Sequence, residues 1–123
     1  MTENKPFDIK DRSFLFALDC LKFCRTISID DKEYVLTKQL SRSGSSIGAN
    51  IREAQNSSTK KDFIYKLSIA QKECNESVYW IELLIAFLEL NSEESKKLEK
   101  EAKELLRILS SIVLNTKQRM QLE

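Results

Sequence analysis

An all-α fold, an antiparallel up-down-up-down four-helix bundle, is predicted by three observations on the 123-residue chain. Gly44, Gly48 and Pro6 are its only glycines and proline, too few for the turns of an all-β protein. Four segments carry apolar residues at helical spacing, separated by short polar breaks. Links that short can only return the chain beside itself, so neighbouring helices run antiparallel. The length suits a single domain, 1–123, with a hydrophobic core that needs no disulfide or metal.

The first helix is expected over about 11–27, with Phe14, Leu18, Leu21 and Cys24 on its core face and Asp8 or Asp11 as its cap. The break Ser28-Ile-Asp-Asp31 offers Asp30 or Asp31 to cap a second helix over 32–55, whose apolar line is Leu36, Leu40, Ile47, Ile51 and Ala54. Thr59 followed by Asp62 resembles a capping box and opens a third helix over 60–90. Phe63, Leu67, Ala70, Cys74, Val78, Ile81 and Leu88 form its stripe, about 45 Å long at 1.5 Å per residue. Asn91-Ser92 caps a fourth helix over 93–119, where Glu93 and Glu94 suit the positive end of the dipole and Lys117 and Arg119 the negative end. Leu98, Ala102, Leu105, Leu109 and Ile112 are its core line, and its Lys/Glu run to Glu104 is a solvated face with pairs such as Glu93 with Lys97.

Several function classes lose support on composition. Histidine is absent, no glycine-rich phosphate loop appears, and Glu73 with Glu76 lacks the Glu-x-x-His partner of helical di-metal sites. No enzyme, cofactor or metal is therefore expected. Cys20, Cys24 and Cys74 cannot all pair within one chain and read as buried small apolar residues. The longest apolar run, Ile81 to Leu88, falls short of a membrane span, and the first residues lack the apolar centre of a signal peptide, so a cytoplasmic protein is expected. The formal charge is +1 but unevenly spread. Residues 32–62 carry Lys32, Lys38, Arg42, Arg52, Lys60 and Lys61 against Glu33, Glu53 and Asp62, whereas residues 63–91 are net acidic.

Two features ask for more than a monomeric bundle. On the helical wheel Ile69, Trp80, Leu83 and Phe87 lie away from the main stripe of the third helix, and a second apolar face of this kind suits a homo-oligomer contact. The run Arg42-Ser-Gly-Ser-Ser-Ile-Gly-Ala-Asn-Ile-Arg-Glu-Ala54 is small and polar inside a helix. Its Arg42, Ser46, Asn50 and Glu53 cluster beside the apolar line, which fits close helix packing or a partner surface. Gly44 and Gly48 each cost roughly 1 kcal/mol relative to alanine there, a cost that a closely approaching helix or ligand backbone would offset.

The pattern Arg42-Ser-x-x-Ser46-Ile47-x-x-Asn50-Ile51-x-Glu53, then 61–70 (Lys-Asp-Phe-Ile-Tyr-Lys-Leu-Ser-Ile-Ala), then Glu73-x-x-Glu76-Ser77-x-x-Trp80-Ile-Glu82-Leu, resembles bacterial four-helix-bundle proteins related to those encoded in 23S ribosomal RNA intervening sequences. That resemblance implies a homopentameric ring with no established catalytic activity. It also implies a relative in the basic accessory protein of diversity-generating retroelements, which works with a reverse transcriptase and its RNA. The present chain departs from that relative in being nearly neutral. A non-enzymatic oligomeric scaffold is the expected function. The alternative is an RNA- or DNA-binding accessory factor, or a partner of a nucleic-acid-handling protein, that uses Arg42, Arg52, Lys60 and Lys61.

Overall fold

In a computed structural model, which describes residues 8–122, four α-helices follow one another: α1 (Ile9–Asp30), α2 (Val35–Gln55), α3 (Lys60–Leu88) and α4 (Glu93–Leu122). Pro6 lies outside the described residues. Packing runs α1 on α2, α2 on α3, α3 on α4 and, more sparsely, α4 back on α1, which closes an antiparallel up-down-up-down bundle.

Most helix starts are set by side chains that take up the first free N–H groups. Asp8 accepts from the Asp11 N–H at 3.3 Å, Thr59 from the Asp62 N–H at 3.0 Å and Ser92 from the Ser95 N–H at 3.0 Å. The second helix differs from expectation. It starts three residues later than 32, and neither Asp30 nor Asp31 caps it, because α1 itself runs on to Asp30. The Glu33 carboxylate takes the cap role instead, accepting from the N–H groups of Val35, Leu36 and Thr37 at 3.0 to 3.1 Å. Left-handed residues release the chain at two turns, Lys32 (φ 54°) before α2 and Glu89 (φ 52°) after α3.

The core lines of three helices fall where periodicity puts them. Leu40, Ile47, Ile51 and Ala54 of α2, Leu67, Ala70, Cys74 and Ile81 of α3, and Leu98, Ala102, Leu105 and Leu109 of α4 are buried. Leu36, Phe63, Val78, Leu88 and Ile112 pack against them half-buried. Each fully buried Leu or Ile contributes about 1.5–3 kcal/mol relative to exposure.

Helix α1 corrects the sequence reading. Its buried face is Phe16, Cys20, Phe23, Cys24 and Ile27, while Phe14 (54% exposed), Leu18 (39%) and Leu21 (46%) point outward. Both faces of α1 are apolar, so its period alone does not choose between them. The choice is made by α2. A Cβ at Gly44 would lie 2.9 Å from the Cys20 Sγ, and one at Gly48 3.2 Å from the Ser13 Oγ. Small side chains on α1 therefore meet bare backbone on α2. A surface of Phe14, Leu18 and Leu21 could not approach so closely.

Candidate interaction surface

Helix α2 is held differently on its two flanks, and that positions every candidate side chain. On the α1 flank the glycines set the distance. On the α3 flank a buried hydroxyl pair, Ser43 with Ser77 at 2.8 Å, fixes the register, and Ser77 also donates to the Glu73 carbonyl at 2.9 Å. Outside that pair lies a row of charges. Arg42 donates to Glu73 at 3.1 Å and to Glu76 at 2.8 Å, and Lys66 pairs with Glu53 at 2.7 Å. The hydrogen bond to Glu76, with the Glu73 carboxylate beside it, holds the Arg42 guanidinium above its usual pKa, and Glu53 does the same for the Lys66 ammonium.

Three other polar side chains of the run bond back within the helix. Ser45 donates to the Ser41 carbonyl at 2.8 Å, Ser46 to the Arg42 carbonyl at 2.7 Å, and Asn50 to the Ser46 carbonyl at 2.8 Å. Such back-bonds turn the polar atoms onto the backbone. On the outward side of α2, Ser45 and Ala49 are exposed beside the longer side chains of Lys38, Arg42 and Arg52.

The ridge on α3 contains the residues that sequence periodicity selected. Ile69 and Leu83 are half-buried, and Phe87 is exposed. Trp80 packs against the core and edge-on to Tyr79, with ring centroids 5.1 Å apart. Its Nε1 is buried and has no hydrogen-bond partner among the described residues. The structure thus brings Arg42, Ser46, Asn50 and Glu53 onto the same α2–α3 face as Ile69, Trp80 and Leu83.

The candidate basic residues are not gathered in the same way. Arg52 lies on the other flank of α2, its guanidinium carbon 5.6 Å from the centre of the Phe14 ring. Arg42 is ten residues further up the helix, about 15 Å at 1.5 Å per residue, and is shared by two carboxylates. Lys60 and Lys61 are exposed at the start of α3, near the Arg52 end of the bundle.

Sequence reasoning did not assign the α1 ridge to a surface. Phe14, Leu15, Leu18 and Leu21 form its outward side, flanked by Tyr34 of the following loop. A shallow groove beside it is lined by Leu21, Arg25, Tyr34, Lys38 and Ser41 and contains no carboxylate. The available signal was an apolar excess. A helix that carries Phe14, Leu15, Phe16, Leu18, Leu21 and Phe23 has more large apolar residues than one buried face can take.

On the opposite side, α1 and α4 meet across a cleft of about 820 Å³. Phe16, Phe23 and Leu98 line its floor, and Arg12 bridges it to Glu101 with two bonds of 3.1 and 2.9 Å. Among the described residues, no group of three or more His, Cys, Asp or Glu side chains is placed to hold a metal ion. Cys20, Cys24 and Cys74 are buried, and desolvation raises all three thiol pKa values, Cys74 to about 12. Such thiols are poor nucleophiles.

The sequence profile of the 23S rRNA-intervening sequence proteins matches residues 5–111. The chain belongs to this family. A solved family relative gives the same fold: a Bacteroides thetaiotaomicron protein of unknown function from the S23 ribosomal protein family, known from a crystal structure at 1.70 Å resolution. It is 42% identical, superposes with a TM-score of 0.81, and is aligned over 85% of the present chain and 97% of its own. No protein of curated function matches. The solved relative thus shares the four-helix bundle of the present chain, and its own function is unknown. Among the described residues, no helix is long and apolar enough to cross a membrane.

Proposed function

We propose that this 23S rRNA-intervening sequence protein is a non-enzymatic homo-oligomeric scaffold, assembled in the cytoplasm as a ring of five chains. The observation that carries the reading is the outward side of α1, where Phe14, Leu15, Leu18 and Leu21 are each between 39% and 58% exposed on one helix. Single exposed apolar residues are ordinary, but a contiguous group of four large ones marks an interaction surface. The second apolar ridge, at Ile69, Trp80, Leu83 and Phe87, gives each copy a further contact. The ring of five follows the family resemblance.

Native mass spectrometry at micromolar concentration tests this directly. A five-chain assembly of the 14.3 kDa protein is expected, and a mass equal to one chain overturns the reading.

A second reading, an accessory factor for RNA or DNA, draws on Arg52, Lys60 and Lys61, exposed near one end of the bundle. Assembly would multiply that weak cluster by the number of chains, and contacts to phosphate would be lost steeply with salt. Retardation of structured RNA at low ionic strength that disappears in Arg52→Glu supports this reading. No retardation even at low salt removes it.

A further inference from the structure

The first half of α3 carries an outward line that neither apolar ridge includes. Lys61, Tyr65, Ser68 and Lys72 follow one another at steps of four, three and four residues, so they share the face turned away from the buried Ile64, Leu67 and Ala70. An aromatic ring thus stands between two lysines. Tyr65 is 60% exposed, and a third cation, the Lys66 ammonium, lies 6.0 Å from the centre of its ring.

The neighbouring helix extends this basic character. Gln71 donates to the Ser110 hydroxyl at 3.1 Å, which sets residues 105–122 of α4 beside residues 60–72 of α3. Lys117, seven residues beyond Ser110, comes level with Ile64, seven residues before Gln71. The two stretches hold Lys60, Lys61, Lys66, Lys72, Arg107, Lys117 and Arg119 against one carboxylate, Asp62. Glu53 and Glu104 pair with Lys66 and Arg107, and seven cations against these three carboxylates leave an excess of four. Further along α3 the balance turns, since Glu73 and Glu76 share Arg42 while Glu82 and Glu99 share Lys103. The basic face therefore ends at Lys72.

We infer that this α3–α4 face binds single-stranded nucleic acid, with a base stacked on Tyr65 and phosphates on Lys61, Lys72 and Lys117. The inference rests on the nucleic-acid reading above and adds the strand type, the face and the stacking residue. Cations flanking an exposed ring match what a flexible strand offers, a charged backbone and bases with open faces. In a duplex those faces are already stacked on one another. An acidic protein or a lipid surface supplies charge without a planar base, and Tyr65 would add nothing to its binding.

Fluorescence anisotropy of a labelled oligothymidylate of about 12 nucleotides, titrated with the full-length protein over a range of salt concentrations, tests it. Tyr65→Ala is expected to weaken binding roughly tenfold and Tyr65→Phe to leave it unchanged, because the ring and not the hydroxyl carries the stack. Lys72→Gln is expected to reduce the slope of log affinity against log salt by about 0.7, the share of one phosphate contact. Both positions are exposed, and unchanged helical circular dichroism checks that each variant folds. Binding that is unmoved by Tyr65→Ala overturns the inference, as does equal affinity for a duplex or for inorganic polyphosphate. Binding that is lost in Arg52→Glu but insensitive to both Tyr65→Ala and Lys72→Gln keeps the nucleic-acid reading and removes this face from it. If the wild-type protein binds no strand even at low salt, the nucleic-acid reading itself fails, and the face with it.

Discussion

Helix α2 is gripped at close quarters on both flanks, whereas α1 and α4 face each other across a cleft. On the α2 side, glycine meets Cys20 and Ser13, and a buried serine pair joins α2 to α3. On the α1–α4 side, a polar tie is the Arg12–Glu101 pair, about one-third exposed, above an apolar floor. The difference shows where this bundle is specified. Short contacts between small residues admit one register only, because a sliding step of one residue puts a Cβ into a neighbouring atom. A cleft crossed by long side chains tolerates displacement.

The largest expected effect tests the tight side. Gly44→Val adds branched bulk against the Cys20 side chain, and since real Cβ atoms do not sit at 2.9 Å, that side chain must turn or α1 must shift. A loss of about 2–3 kcal/mol by urea denaturation is expected, within the usual range for overpacking. A loss below about 1 kcal/mol would mean that the α1–α2 distance is not fixed by glycine.

Next comes the hydroxyl pair. Ser77→Ala leaves the buried Ser43 hydroxyl with its long 3.4 Å bond to the Leu40 carbonyl and is expected to cost about 1 kcal/mol. Ser43→Ala together with Ser77→Ala should cost less than the sum of the singles, because no donor is then orphaned. Strict additivity in a double-mutant cycle would contradict a coupled pair.

Alkaline pH provides a test of similar size. Burial raises the folded-state pKa of Cys20 and Cys74 above the ordinary 9.0, so the folded state keeps both protons after the unfolded chain has begun to lose them. Their contribution is complete below about pH 9 and is lost as pH rises toward the folded values. One unit above the ordinary value the loss is about 1 kcal/mol per thiol. Thermal melts from pH 7 to pH 10 should fall accordingly, and a Cys74→Ala variant should show a shallower slope. An unchanged slope would mean that the thiol ionises without unfolding.

The smallest effect is expected on the open side. Arg12→Ala removes a two-bond ion pair about one-third exposed, for which a cost of under about 1 kcal/mol is expected after solvent screening. Amide exchange should quicken in α1 more than in α2. Equal quickening of both helices would mean that the two sides are held alike.

The sequence alone determined the number of helices, the side chains that cap three of their starts and three of their four core faces. It did so because Asp8, Thr59 and Ser92 are local caps, and because α2, α3 and α4 each have one apolar line that outweighs the rest. It also placed Arg42, Ser46, Asn50 and Glu53 on a common stripe, since residues on one helix share a frame. Only the tertiary structure decided which face of α1 is buried. Phe16, Cys20 and Ile27 compete there with Phe14, Leu18 and Leu21 on nearly equal hydrophobic terms, and the close approach of Gly44 and Gly48 selects the side with the small residues. The same packing sets Arg42 against the carboxylates of α3 and Arg52 over Phe14. Their separation arises between helices, where one-dimensional periodicity carries no information.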